Sequence, residues 1–225
     1  VRAPFLTKPL IVNAASALLS RALGDRAGQV PVDLETLVYD YLCEREGLVF
    51  VEDRPLASHE GHEVLGLTEL VAGRIFVCSN LKARDLARFR FTLAHEIGHW
   101  VLHRPLALER HLRDATTMQE ELLVSVATLG DEASSNLDSI EWQANYFASH
   151  LLIPRAPLRR EFAERFGGAP LVCPQGSDLG SFAREISRRA MADQPSLSRV
   201  FLASVTAMGI ALKESGLVVL DPVLL

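Results

Sequence analysis

The stretch Arg90-Phe-Thr-Leu-Ala-His95-Glu96-Ile-Gly-His99-Trp-Val-Leu-His103 decides how the rest of the chain is read. Phe89, Leu93, Ile97 and Val101 recur at helical spacing and supply a core stripe, with Asp85 placed to cap the helix and Arg104-Pro105 to stop it after His103. Side chains four apart project from one face of a helix, so His95 and His99 can share one metal ion, and Glu96 is left to activate water. Zinc suits two imidazoles and a carboxylate because it accepts nitrogen and oxygen in a tetrahedral site without redox chemistry of its own. Small Gly98 lets another element approach beside the second histidine.

A catalytic zinc site usually has three protein ligands and one open position. His103 cannot be the third, because eight residues of helix carry it about 12 Å from His95. The extended pattern with a third histidine after a glycine turn is excluded as well, since Leu102 and Pro105 stand where Gly and His are required. His103 is therefore expected to fix the helix end or to stand near the substrate. The better third ligand lies in a second amphipathic segment, Ser139 to Leu152, with Ile140, Ala144, Phe147, Ala148 and Leu151 on one stripe and Pro154 just beyond its end. There Glu141 and Asn145 lie one turn apart on one face. That pair suits a carboxylate ligand followed by an amide that accepts from the distal nitrogen of a ligating histidine. Glu120, Glu121, Asp131, Glu132 and Asp138 remain rivals for the carboxylate. Tyr146 and His150 are further candidates for substrate or oxyanion contact, although each also reads as structural.

Outward from these two segments, Ile11 to Leu23 and Val32 to Leu42 have helical periodicity, while Gly47-Leu-Val-Phe-Val51, Gly66 to Leu70 and Gly73 to Cys78 read as strands. Arg54 to Gly66 reads as a polar loop, and its His59 and His62 as solvated. The strand at Gly73 to Cys78, immediately before the motif helix, is the expected exposed edge for an extended peptide. Glu120 to Ala127 suggests a helix, and Gly130 to Asp138 a polar stretch. After Pro154 come several Pro and Gly breaks, then helical patterns at Ser181 to Met191 and Ser196 to Glu214.

The blocks Arg90-Phe-Thr-Leu-Ala-His-Glu-Ile-Gly-His99 and Glu141-Trp-Gln-Ala-Asn-Tyr-Phe-Ala148, the latter followed by Leu151-Leu-Ile-Pro154, resemble the two signature blocks of the ImmA/IrrE family of metallopeptidases. The resemblance implies an α+β, zincin-like fold, mainly helical with a small mixed β-sheet, plus a helical C-terminal extension. It implies His95, His99 and Glu141 as ligands of one Zn2+ per chain and Glu96 as general base. It also implies a substrate class, helix-turn-helix repressors, whose cleavage releases mobile-element or stress-response genes. The competing expectation is a non-catalytic zinc module that sequesters a repressor or serves in a toxin–antitoxin-like pair.

Composition fits these expectations without choosing among them. The chain has 225 residues, 48% hydrophobic and 23% charged, and a formal charge of −5, which gives no general case for nucleic-acid or anionic-membrane binding. Residues 155–214 hold nine Lys/Arg and six Asp/Glu, so that stretch is locally basic. The natural division is a minimal peptidase unit over 1–154 and a helical subdomain over 155–225, helix-turn-helix-like, used for packing or repressor docking. Direct DNA reading by the tail is disfavoured because no basic residue lies between Ser204 and Ile210. Cys43, Cys78 and Cys173 have no paired spacing and are expected as reduced thiols. The longest uncharged apolar run, Val200 to Leu212, is 13 residues, short of the roughly 20 a membrane span needs. Asn13 and two serines interrupt Pro9 to Ser20, which is therefore not read as a signal-peptide core, and a cytoplasmic protein is expected.

Overall fold

The computed structural model describes residues 6–56, 63–78, 80–113, 122–126 and 137–221. His59, His62, Glu120, Glu121, Asp131 and Glu132 lie outside them. The fold is α+β and zincin-like, and its contacts divide the chain into two units, Val1–Ala27 with Asp33–Leu151, and Gly28–Val32 with Leu152–Leu225.

In the first unit, helix α1 (Lys8–Leu23) carries Pro9 in its first turn, where a missing N–H costs no intrahelical bond. It buries Ile11, Ala15, Leu18 and Leu19 and ends at Gly24, whose φ of +53° suits a residue without Cβ. The helical pattern over 32–42 forms as a wider helix with i→i+5 bonding, Thr36–Cys43. Asp33 starts it, accepting from the Thr36 N–H at 3.0 Å and from the Thr36 hydroxyl at 2.8 Å.

Four strands follow: β1 (Val49–Arg54), β2 (Val64–Glu69), β3 (Arg74–Cys78) and β4 (Leu122–Val126), in the order β1-β3-β2-β4. β1 runs parallel to β3, and β2 is antiparallel to both β3 and β4. Two expectations are corrected here. The segment Glu120 to Ala127 contributes a strand, not a helix, because its Leu-Leu-Val-Ser-Val core zips against β2, with Val124 opposite Leu67 and Leu122 opposite Glu69. β3 is not an exposed edge, since β1 and β2 flank it on both sides and take its backbone groups. The margins of the described sheet are β1 and β4. β1 also runs on to Arg54 and β2 starts at Val64, each beyond the bounds expected for its strand.

Helix α2 (Leu81–Arg84) leads into α3 (Leu86–Leu102), which Asp85 caps by accepting from the Arg88 N–H at 3.0 Å. α3 packs on β2, β3 and β4 and is buried well beyond an amphipathic stripe: Arg90, Thr92, His95, Glu96 and His99 lie inside together with Phe89, Leu93 and Ile97. Pro105 does not end helical structure. It sits in the first turn of a new helix, α4 (Arg104–Arg113), with His103 as the joint. Helix α5 (Leu137–Leu152) comes against α3 at Gly98, where a Cβ would meet the Ala144 Cα and carbonyl oxygen, each at 3.2 Å.

In the second unit the punctuated region after Pro154 opens with a helix unread in the sequence, α6 (Arg155–Phe166). Pro157 is tolerated in its first turn, and Gly167 closes it at φ +81° with its N–H bonded to the Ala163 carbonyl. A two-residue parallel pair, β5 (Leu171–Val172) with β6 (Val218–Val219), closes around α7 (Leu179–Arg188), α8 (Leu197–Val200) and α9 (Val205–Glu214). The single helix expected from Ser196 to Glu214 is two, because Leu202 takes φ +48° and the Ser204 side chain caps α9 by accepting from the Ala207 N–H. Gly209 permits close packing of α9 on α7, a Cβ there meeting Arg184 Cγ at 3.1 Å. Cys43, Cys78 and Cys173 are free thiols, and no helix among the described residues is long and apolar enough to cross a membrane.

Candidate metal centre

The helical spacing of α3 and the close approach at Gly98 bring two ring nitrogens and one carboxylate together. His95 Nε2 and His99 Nε2 are 2.9 Å apart, and Glu141 reaches His95 Nε2 with Oε2 at 3.1 Å and His99 Nε2 with Oε1 at 3.3 Å. His95, His99 and Glu141 form the one cluster of its kind among the described residues, with all three ligand atoms within 4.8 Å of one another. The histidines are buried and Glu141 is partly open to solvent.

The electrostatics favour a cation at the centre of this group. Burial alone would push the Glu141 carboxyl upward, yet the hydrogen bonds and charges of His95 and His99 outweigh it and hold the group well below the carboxylate range. Burial likewise disfavours protonated His95, but the bond from Glu141 and the charges of Glu96 and Glu141 outweigh it and raise the imidazole above its ordinary value. A site that concentrates anionic charge on inward lone pairs in this way draws a proton in the free protein and suits a divalent metal in its place.

The outer ring nitrogens are engaged elsewhere. His95 Nδ1–H donates to Asn145 Oδ1 at 2.9 Å, in line with the spacing of Glu141 and Asn145 on α5. His99 Nδ1 lies 3.0 Å from His103 Nδ1, and His103 Nε2 faces Gln143 Oε1 at 3.4 Å. His103 stands at the helix end, its backbone N–H bonded to the His99 carbonyl at 2.9 Å, and is buried behind His99 with both ring nitrogens engaged. Burial, then the charge of His99, brings its pKa down to about 4.

Tyr146 and His150 are placed on another stripe of α5. The Tyr146 ring stacks on Trp142 at 5.3 Å and meets His150 at 4.3 Å with the two planes tilted by 39°, with Lys8 Nζ 5.1 Å from its centroid, and His150 Nδ1–H is used on the Tyr146 carbonyl. Neither belongs to the cluster of inward-facing ligand atoms.

Glu96 is completely buried. Its Oε2 accepts from the Thr68 hydroxyl at 2.5 Å, whereas Oε1 has no hydrogen-bond partner among the described residues. Such an atom costs free energy unless something mobile, such as a water in use, meets it. Directly beneath the carboxylate lies Gly66, where a Cβ would collide with Glu96 Oε1 and come within 2.9 Å of Glu96 Cδ. Thr68 and Gly66 were not read from the sequence as functional residues. The available signal was their alternation in Val64-Leu-Gly-Leu-Thr-Glu69, which puts a small and a polar residue on one face of an otherwise apolar strand.

The site therefore contains three lone-pair donors from two helices facing one point, and a separate carboxylate with one free oxygen. This donor set fits a zinc ion with an open coordination position. The family described as Peptidase_M78, the IrrE N-terminal-like domain, matches residues 43–169, more than half of the chain and the whole of this site. No curated protein matches the chain.

Proposed function

The chain belongs to the IrrE N-terminal-like peptidase family, and from that premise we propose that it is a zinc-dependent endopeptidase with His95, His99 and Glu141 as ligands and Glu96 as general base. The observation that carries the reading is the convergence of these three side chains beside a buried carboxylate whose Oε1 is unspent. Zinc, when bound, supplies the positive charge that brings the pKa of water toward about 7 and polarises the scissile carbonyl. Glu96 Oε1 takes the proton of the attacking water and returns it to the leaving amine. Thr68 holds the other oxygen, so the free one has a defined position, and Gly66 leaves the space the carboxylate occupies.

An extended substrate pairs along the outer side of β4, a margin of the described sheet that also packs on α3. The substrate class we propose is a helix-turn-helix repressor, supported by the resemblance of both signature blocks to a family whose members cleave such proteins. Glu96→Gln tests the assignment. The variant is expected to bind zinc as the parent does and to leave the repressor uncut. Cleavage by that variant, or repressor binding without cleavage by the parent protein, refutes the peptidase reading, and the latter result favours the sequestering module.

A further inference from the structure

His95 and His99 are supported in different ways. Behind His95 stands Asn145, an exposed amide on the opposite helix. Behind His99 stands a second imidazole, and behind that an amide and a hydroxyl: His99 Nδ1 to His103 Nδ1 at 3.0 Å, His103 Nε2 to Gln143 Oε1 at 3.4 Å, and Gln143 Nε2–H to Ser139 Oγ at 3.2 Å. His99, His103 and Gln143 are all buried, at 0%, 5% and 0% exposure, so this chain is shielded from competing water.

The chemistry of each atom orders the protons along the chain. His99 Nε2 points into the cluster with Glu141 and must offer a lone pair there to hold a metal, so the ring proton resides on Nδ1. The partner atom, His103 Nδ1, must then accept, which puts the His103 proton on Nε2. That N–H needs an acceptor, and Gln143 presents its Oε1 to it while its Nε2–H donates to Ser139 Oγ. From His99 to the Gln143 carbonyl, each ring nitrogen has a role that satisfies its neighbour.

We propose that His103, set by Gln143 and Ser139, is a positioning residue that fixes the tautomer and ring plane of His99 for metal binding. The inference rests on the zinc reading above. A neutral imidazole in this place also has a chemical consequence. The usual carboxylate behind a ligating histidine pushes electron density toward the metal, whereas His103 orients the ring without adding negative charge, so the ion keeps more of its Lewis acidity.

The experiment measures zinc affinity of the full chain by competition with a chromophoric chelator, for the parent protein and for His103→Ala, His103→Asn, Gln143→Leu and Glu141→Ala. Asn is the conservative rescue, because its Oδ1 falls near the place of the ring Nδ1 and can accept from His99. The expected results are a loss of roughly 10–100-fold for His103→Ala, recovery of most of it in His103→Asn, and an intermediate loss in Gln143→Leu. In 15N spectra of the zinc-loaded parent, His99 is expected to carry its proton on Nδ1 and His103 on Nε2, and Gln143→Leu to mix the His103 tautomers. A His103→Ala variant within twofold of the parent, or a His103→Asn variant no tighter than His103→Ala, overturns the proposal, as does a zinc-loaded parent spectrum in which His99 carries no proton on Nδ1. Should His103→Ala fail to fold, His103→Asn and Gln143→Leu decide by the same readouts. Loss of zinc in Glu141→Ala with full affinity in the His103 variants refutes the positioning role alone, whereas a parent protein that takes up no zinc refutes the metal reading itself.

Discussion

Gly98→Ala measures what the closeness of α3 and α5 is worth. The added Cβ would stand 3.2 Å from the Ala144 Cα, the Ala144 carbonyl oxygen and Phe147 Cδ1. Two of these are backbone atoms and the third belongs to a fully buried ring, so none can swing aside as a side-chain tip would. Helix α5 as a body must retreat by a few tenths of an ångström to restore ordinary contact. Two effects oppose each other. Replacing glycine by alanine inside a helix gains about 0.8–1 kcal/mol, while overpacking a tight core contact costs about 1–3 kcal/mol. The balance is a loss of about 1 kcal/mol, which lowers Tm by roughly 2–4 °C for a unit of this size. The same retreat carries Glu141, one turn before Ala144, away from His95 and His99, so zinc affinity falls along with stability. Calorimetric melting of the metal-free protein and chelator competition measure the two effects. A variant that melts higher than the parent and binds zinc equally well shows the helix-propensity gain alone, and refutes the claim that contact at Gly98 sets the ligand geometry.

Gly66→Ala displaces the Glu96 carboxylate by on the order of 1 Å, enough to lower cleavage about 10²-fold while zinc content stays at the parent's level. An unchanged cleavage rate would show that Glu96 does not act from the position described. The buried His103 gives the metal-free protein a pH dependence of definite sign. Its folded pKa of about 4 lies below the unfolded 6.5, so the unfolded chain binds more protons between these values, and stability is lost as pH falls from 6.5 toward 4, by up to ~3 kcal/mol. His95, raised above its ordinary value, contributes stability that is fully present below 6.5 and declines only at higher pH, and Glu141, lowered, contributes stability that is present above its ordinary value of 4.5 and is lost as pH falls below it. Urea unfolding at pH 6.5 and 5 should therefore show a steeper loss in the parent than in His103→Asn, and equal slopes would remove His103 as the cause.

How much of the site was legible depended on how far apart its parts stand in the chain. His95, Glu96 and His99 lie within one turn and a half of helix, where the 3.6-residue period dictates the shared face without help from any other element. The same period links Glu141 to Asn145. Asp85 was recognisable as a cap because capping is a bond to an amide three residues on. Strand β4 was not legible, since the run that opens on Glu-Glu-Leu-Leu has helical leanings in sequence, and Leu122–Val126 becomes a strand only by pairing with β2, more than fifty residues earlier. Sheet order was hidden for the same reason: the strand nearest the motif in sequence is interior in space, because β1 returns to flank it.

The sequence by itself determined the two helices, the identity of the inward-facing imidazoles and the carboxylate best placed to join them, because helix geometry converts local spacing into direction. Tertiary structure alone decided that Gln143 stands behind His103, that Asn145 meets the outer nitrogen of His95, and that Thr68 and Gly66 seat Glu96. Those roles depend on which surfaces meet across α3, α5 and β2, and hydrogen bonds between distant segments leave no period in the chain that makes them.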